Sequence, residues 1–267
     1  MEIQLAAGSF FVFMFALVRA TAWLSFAPPF SSQTIPAVVR LGLAASLALA
    51  VTPTLGAARA GSTGAPFSSV ATSLGTGGFI TELVVQAVIG ALLGFMTSLL
   101  LSIVSSAGAL TDMTSGLSAA TTFDPISGTS NPVTANVFNL LLTTLLFATG
   151  GYLLIVKGFM LSFQSVGLSA RSMSLIGPTL VSEIGFFFAA AVEIAAPVLG
   201  CMFLAFVALG LLNRSAPQLN IMSLGFALNI ALAIIVVGVS LPLLPGAVNT
   251  IVERVVNDTL GLMGVKP

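Results

Sequence analysis

Charge is nearly absent from this sequence, and the few charges present are unevenly distributed. Eight acidic and eight basic residues occur among 267, so 6% of the chain is charged and 57% is hydrophobic. An ordinary soluble domain carries about 25% charged residues. Residues 83–111, 125–156 and 215–252 hold no charge at all, and each stretch exceeds the ~20 apolar residues that cross a bilayer as one helix. The composition therefore predicts an integral membrane protein.

Histidine and cysteine are also scarce, which excludes several kinds of chemistry. The chain has no histidine and one cysteine, Cys201. His-based metal sites and Ser-His or Cys-His dyads cannot form without histidine, and a single cysteine cannot form an internal disulfide. No phosphate-binding glycine loop is present, and the net charge of zero without a basic cluster argues against a nucleic-acid partner. We therefore expect no catalytic site, no metal and no cofactor, and hence not an enzyme.

Tryptophan and tyrosine, which usually mark the two membrane interfaces, occur once each. They are Trp23 and Tyr152, whereas phenylalanine occurs twenty times. Six lipid-facing helices would normally carry interfacial belts of Trp and Tyr. Their scarcity indicates that many helix surfaces contact protein rather than lipid headgroups.

Six apolar segments are nevertheless clear from hydropathy. They cover residues 5–27, 37–55, 78–104, 137–156, 184–212 and 221–244. We predict a single all-α, polytopic membrane domain over residues 1–267 with about six hydrophobic helical segments, some of them broken or re-entrant. The first segment lacks a basic n-region and a cleavage site, so we expect it to be a retained span. Residues 157–183 mix serine and glycine with large apolar residues and are typical of an amphipathic interfacial helix.

Three charged residues, Arg19, Glu82 and Glu193, fall inside or at the ends of apolar segments. An unpaired charge at mid-bilayer costs at least ~2.5–3.5 kcal/mol, so each should face protein, water or an opposite charge. One interpretation is a salt bridge or a proton path. The alternative is that the side chains extend from helix ends to the membrane surface.

Two glycines, Gly90 and Gly94, lie one helical turn apart in the third apolar segment. Such a pair forms a flat stripe where another backbone can approach closely. We interpret them as a helix-packing face. With 26 glycines in the chain, a chance spacing is the alternative.

The segment from Ser105 to Phe123 is rich in small and hydroxyl-bearing residues. It is too polar for a lipid-facing helix and too apolar for a solvated loop. Non-helical backbone at membrane depth survives only when it is packed in protein or lines a cavity. We interpret the segment as a re-entrant or pore-facing loop, against the alternative of an ordinary extramembrane loop. Its candidate plug and lumen residues are Ser105, Gly108, Asp112, Met113, Gly116 and Phe123.

Three segments of the chain contain distinctive motifs. Residues 19–40 read RATAWLSFAPPFSSQTIPAVVR, residues 82–125 contain Glu82, Gly90, Gly94, Asp112 and Asp124-Pro125 in that order, and residues 210–226 read GLLNRSAPQLNIMSLGF. Together they resemble the FliR family, the export-gate subunit of flagellar type III secretion, and the third segment resembles the most specific motif of that family. The residues of that motif are Asn213, Arg214, Pro217, Gln218 and Asn220.

The sequence departs from the family at two places. Gly151-Tyr152 stands where the family often has Gly-His, and Ala227 and Asn229 stand where it often has Pro and Lys. Roles that belong to that His or Lys are therefore not carried over to this chain.

The resemblance implies a non-enzymatic subunit of a protein export gate in the bacterial inner membrane, within the flagellar basal body. FliR-like proteins assemble with FliP-like and FliQ-like subunits, contact an FlhB-like switch protein and pass unfolded export substrates. The loop that corresponds to Ser105–Phe123 belongs to the plug that closes the channel. Membrane lipid is a further expected contact.

Three other functions compete with this interpretation. A secondary transporter would build a midplane site from broken helices, but we find no internal repeat and no cluster of ionisable residues. An intramembrane hydrolase would have no histidine to use. The corresponding subunit of a virulence-type secretion system differs little in sequence, and the run from Asn213 to Gln218 favours the flagellar system.

Overall fold

The computed structural model describes residues 2–28, 30–32, 35–57, 59–60, 65–66, 75–118, 132–164, 170–215 and 221–262. Eight α-helices occur in this part of the chain: α1 Glu2–Phe26, α2 Ala37–Ala57, α3 Thr76–Ser115, α4 Val133–Ala148, α5 Gly151–Leu161, α6 Ala170–Ser215, α7 Ile221–Ser240 and α8 Leu244–Leu262. Short 3-10 turns follow α5 at Ser162–Gln164 and α7 at Leu241–Leu243. Two-residue strands β1, Arg59–Ala60, and β2, Ala65–Pro66, pair antiparallel.

Four helical stretches within the described residues are long and apolar enough to cross a membrane. They are Gly8–Phe26, Thr76–Ser115, Gly177–Ser215 and Gly225–Thr259. The pair α4 and α5 is a fifth if its 74° bend counts as a break within one span, and Ala37–Pro53 is a shorter apolar helix. The prediction of an all-α polytopic membrane protein with some broken helices is confirmed.

The bend between α4 and α5 has a local cause at Gly150. This glycine adopts φ +72°, a left-handed conformation that only glycine adopts easily. The amide of Thr149 still donates to the carbonyl of Leu145 at 2.8 Å, and the amide of Gly150 donates to that of Phe147 at 3.4 Å. The chain thus closes α4 and starts α5 in a new direction within two residues.

The expectation of a loop from Ser105 onward was wrong for its first part, because α3 continues without a break to Ser115. The hydroxyl groups that suggested a loop are satisfied by carbonyls of the same helix: Thr111 donates to Ala107 at 3.1 Å, and Thr114 donates to Leu110 at 3.1 Å. A helix tolerates Ser and Thr when their hydroxyls bond in this way. Helix α3 ends where Gly116 takes φ +81°, the usual conformation of a terminating glycine.

The separate amphipathic helix expected over residues 157–183 is also not observed. Helix α5 ends at Leu161, and α6 begins at Ala170 and runs unbroken to Ser215. The second half of the expected segment is therefore the first part of a 46-residue helix.

The described residues form two compact units. The first comprises residues 1–100, 152–183 and 252–267. Large aromatic side chains fill its core: the rings of Trp23 and Phe159 stack with centroids 4.3 Å apart, and Phe159 meets Phe163 edge to face at 5.2 Å. Phe15 packs against Phe79 at 5.3 Å. Such ring pairs stabilise a core beyond their buried area.

The second unit comprises residues 101–151 and 184–251. Val198 and Met202 of α6 pack with Ala233 of α7 in its core. Many large apolar side chains of this unit remain exposed, including Phe188, Phe203, Leu204, Ile234, Ile235 and Val239. Exposed apolar surface of this extent is typical of contact with lipid or with other subunits.

Candidate functional site

Arg19 of α1 lies inside the first unit and has only 1% of its surface exposed. Its Nε donates to Oε1 of Gln86 at 2.7 Å, and one terminal nitrogen donates to the carbonyl of Ser162 at 3.0 Å. The guanidinium also lies over the ring of Phe163, 4.6 Å from the centroid. These contacts connect α1, α3 and the 3-10 turn after α5. The side chain is held within protein rather than extended to a helix end.

Glu82 reaches this arginine through Gln86. The amide nitrogen of Gln86 donates to Oε1 of Glu82 at 2.5 Å, one helical turn away. A planar guanidinium offers five N–H donors and no acceptor, so an amide oxygen, a backbone carbonyl and an aromatic face suit it well. Gln86 was not identified from the sequence, because a neutral amide in an apolar helix gives no signal of its partner.

The two glycines at helix-packing spacing lie against α1 of the same chain. A Cβ added at Gly94 would lie 2.7 Å from the carbonyl oxygen of Trp23 and 2.9 Å from the Cβ of Phe26. A Cβ added at Gly90 would overlap the carbonyl oxygen of Arg19. Both glycines therefore bring α3 close to the helix that carries the buried arginine.

Asp112 is fully buried near the end of α3 and binds the start of α4. Its Oδ2 accepts from the backbone amide of Thr134 at 2.9 Å and from that of Ala135 at 3.3 Å. Helix α4 begins after Pro132, which provides no side-chain cap. Asp112 thus supplies from another helix the capping oxygen that Ser, Thr or Asp supplies locally elsewhere.

Gly108 permits this contact, because a Cβ at that position would lie 2.6 Å from the Cα of Ala135. The other predicted plug residues have different surroundings. Ser105 is half-buried and donates to the carbonyl of Ser102 at 2.9 Å, whereas Met113 is 72% exposed. Gly116 faces the ring of Phe226, and a Cβ added at Gly116 would lie 3.4 Å from a ring carbon. Phe123 lies outside the described residues.

A second ionic cluster in the first unit was not predicted. Arg254 of α8 donates from Nε and a terminal nitrogen to the two carboxylate oxygens of Glu183, at 3.1 and 3.0 Å. Its Nε also lies 3.3 Å from Oδ2 of Asp258. The Glu183 side chain is 2% exposed and that of Arg254 is 33% exposed. The two partners are 71 residues apart, so sequence spacing could not pair them.

The remaining predicted residues lie on α6 or beyond its end. Glu193 is exposed and lines a groove of the second unit. Asn213 and Arg214 are exposed in the last turn of α6. The other residues of that motif, Pro217, Gln218 and Asn220, lie outside the described part of the chain.

These features define a class of protein: an all-α polytopic membrane protein whose buried polar groups bind its own helices to one another. Comparison with known proteins then identifies the family. The family described as "Bacterial export proteins, family 1" matches residues 10–255. The chain belongs to this family.

Curated relatives agree with the family match. The chain is 32% identical over 234 residues to "Flagellar biosynthetic protein FliR" of Pectobacterium carotovorum subsp. carotovorum, covering 87% of this chain and 85% of that protein. It is 29% identical to the protein of the same name in Escherichia coli (strain K12), with the same coverage of both chains. "Surface presentation of antigens protein SpaR" of Shigella flexneri is 28% identical over 152 residues, 57% of this chain and 59% of that protein.

Proposed function

We propose that this protein is a non-enzymatic subunit of the flagellar type III protein export gate. It helps to form and to close the channel through which unfolded flagellar proteins cross the bacterial inner membrane. The observation that supports the proposal most directly is the family match over residues 10–255, together with relatives named FliR that cover 87% of the chain. The flagellar system is favoured over a virulence system because the match to SpaR covers 57%.

The proposed partners are FliP-like and FliQ-like gate subunits and an FlhB-like switch protein. The exposed apolar side chains of α6 and α7 support association with other hydrophobic chains, in addition to lipid. Phe203 and Leu204 are each 66% exposed on α6. Removing such surfaces from lipid or detergent gains close packing between helices, which drives helix association in membranes.

The end of α3 is the proposed element of closure. Small residues from Ser105 to Gly116 let this part of α3 pack closely, and Met113 projects from it with 72% of its surface exposed. A flexible, apolar thioether fills irregular gaps well. A Met side chain in a closed lumen would exclude water without requiring a particular substrate sequence.

Co-purification tests the assembly. The chain is expressed with its FliP-like and FliQ-like neighbours, extracted in mild detergent and purified. It should elute with them as one large complex. It should also restore motility to a strain that lacks the gene for this chain. Elution as an isolated monomer or dimer with solute transport activity in vesicles would instead support a secondary transporter.

Permeability tests the closure. Met113→Ser should raise leakage of small ions in cells that contain the assembled gate, because a shorter side chain leaves a gap. Leu211→Ser is the matched control, since Leu211 is also an exposed apolar residue, at 62%, but lies on α6. Equal leakage in the two variants, with assembly verified, would contradict the assignment of Met113 to the lumen.

A further inference from the structure

The second unit contains a groove of about 370 Å³ whose lining is apolar except at three side chains. This volume falls within the roughly 300–1,000 Å³ of typical ligand clefts. Apolar residues of α6, among them Phe186 and Pro197, form one wall, and the chain around Leu243 and Leu244 forms the other. The three polar side chains are Glu193, Ser240 and Thr250.

All three polar side chains present acceptors to the groove. The hydroxyl of Ser240 donates its proton to the carbonyl of Val237 at 2.9 Å, and the hydroxyl of Thr250 donates its proton to the carbonyl of Gly246 at 3.2 Å. A hydroxyl has one proton, so only lone pairs remain on these two oxygens. An ionised glutamate also accepts and cannot donate. The side chains of this groove therefore complement a group that carries several N–H donors and a positive charge.

Glu193 has no cationic partner within the described residues. The ion pairs found there join Arg254 to Glu183 and to Asp258. Glu193 lies sixteen residues into the apolar stretch Gly177–Ser215, or about 24 Å at 1.5 Å per residue. A carboxylate at this position in an apolar helix requires an opposite charge or water.

Apolar side chains lie on both sides of the acceptors along α6. Phe186 precedes Glu193 by about two turns, and Pro197 follows it by about one. A lipid headgroup has acyl chain on one side only, whereas a membrane helix with one basic residue has apolar side chains on both sides. The arrangement thus fits a helix better than a lipid.

We propose that this groove is the docking site for a membrane helix of a partner subunit, whose single Lys or Arg binds Glu193, Ser240 and Thr250. The inference rests on the proposed function only in taking the partner from the same gate. Apolar side chains next to that basic residue would pack on Leu243, which is 67% exposed at the edge of the groove. The bound helix would shield the cation from water. A charge pair shielded in this way contributes more to binding than one at an exposed surface.

Site-specific photo-crosslinking tests the proposal in native membranes that contain the whole gate. A photoreactive amino acid in place of Leu243 should form an adduct with a second polypeptide, on a helix with a Lys or Arg within two turns of the crosslinked residue. An adduct with lipid alone, or with a helix that has no basic residue there, would overturn the proposal.

Charge variants make the test quantitative. Glu193→Lys should reduce the adduct at least about tenfold, because like charges repel and a desolvated pair is lost, and Glu193→Gln should reduce it less. Glu253→Gln is the matched control, since Glu253 is an exposed carboxylate that does not line the groove. In the Glu193→Lys variant, replacing the partner's basic residue with an acidic one should restore the adduct. Such a rescue would show that Glu193→Lys loses docking rather than misfolds. An unchanged adduct in Glu193→Lys would refute the role of the carboxylate.

The same experiment distinguishes this inference from the proposed function. An adduct with a basic residue-bearing helix of a protein outside the export gate would contradict the proposed function and support the docking site. An adduct with a gate subunit at a helix without a basic residue would support the proposed function and contradict the docking site.

Discussion

The packing of α3 on α1 leads to a prediction about Gly90. Gly90→Ala adds one methyl group, which would overlap the carbonyl oxygen of Arg19. That oxygen belongs to the backbone of α1, so no side-chain rotation can relieve the overlap. The helices must separate, and dispersion contacts along the interface are lost.

Two opposing free-energy contributions determine how much Gly90→Ala changes the stability of the protein. Replacing glycine by alanine in a helix interior favours the helix by about 0.8–1.0 kcal/mol, whereas inserting a methyl group into a tightly packed site typically costs about 1–3 kcal/mol. Gly200→Ala on α6 isolates the second term, because an added Cβ there meets nothing within 4 Å. Both variants share the gain in helix propensity, so we expect Gly90→Ala to be less stable than Gly200→Ala by about 1–3 kcal/mol.

Thermal unfolding of the two variants, purified in the same mild detergent, measures this difference. One kcal/mol corresponds to about 2–4 °C in Tm for a chain of 150–250 residues, so the Tm values should differ by several degrees. Gly94→Ala should behave like Gly90→Ala, since its Cβ would lie 2.7 Å from the carbonyl oxygen of Trp23. Equal Tm values for Gly90→Ala and Gly200→Ala would refute close packing at this interface.

Three further predictions concern the buried polar contacts. Arg19→Leu should lower the yield of monodisperse protein, because it leaves the acceptors of Gln86 and Ser162 without a donor at a cost of about 1–3 kcal/mol each. Arg19→Lys should lower the yield less. Equal yields for Arg19→Leu and wild type would contradict this prediction. Asp112→Ala should speed amide exchange at Thr134 and cost about 0.5–2 kcal/mol, whereas unchanged exchange would rule out the cap. Arg254→Met should lower Tm because it leaves the buried carboxylate of Glu183 without its partner. The double variant with Glu183→Met should recover part of that loss in Tm. If the two single variants lower Tm additively, the two residues are not coupled.

Hydropathy located the apolar part of most helices, because a membrane span needs a long run of apolar residues. It did not give the helix ends, since α3 and α6 extend to 40 and 46 residues. It failed at Ser105–Ser115, where small polar residues were interpreted as a loop. In the structure Thr111 and Thr114 bond to carbonyls of their own helix, so their polarity does not oppose helix formation. Composition alone cannot distinguish a hydroxyl that bonds to its own backbone from one that needs water.

The candidate site was predictable only in part. Arg19 was identified because a charge in an apolar segment is costly, and that argument depends on the residue alone. Its partners could not be identified, since the carbonyl of Ser162 lies 143 residues away and carbonyls have no sequence signature. The pairing of Glu183 with Arg254 depends in the same way on how distant helices pack.

The buried polar contacts share a pattern that explains why so apolar a chain retains them. Arg19 connects α1 to α3, Asp112 connects α3 to α4, and Glu183 connects α6 to α8. In a membrane, apolar packing alone discriminates poorly between alignments of two helices, because lipid tails are as apolar as leucine. A hydrogen-bonded charge fixes one alignment, since a shift along the helix would leave it unpaired at a cost of several kcal/mol. By the same reasoning, Glu193, which has no ion pair within the described residues, would fix the alignment of the helix that we propose a partner subunit supplies.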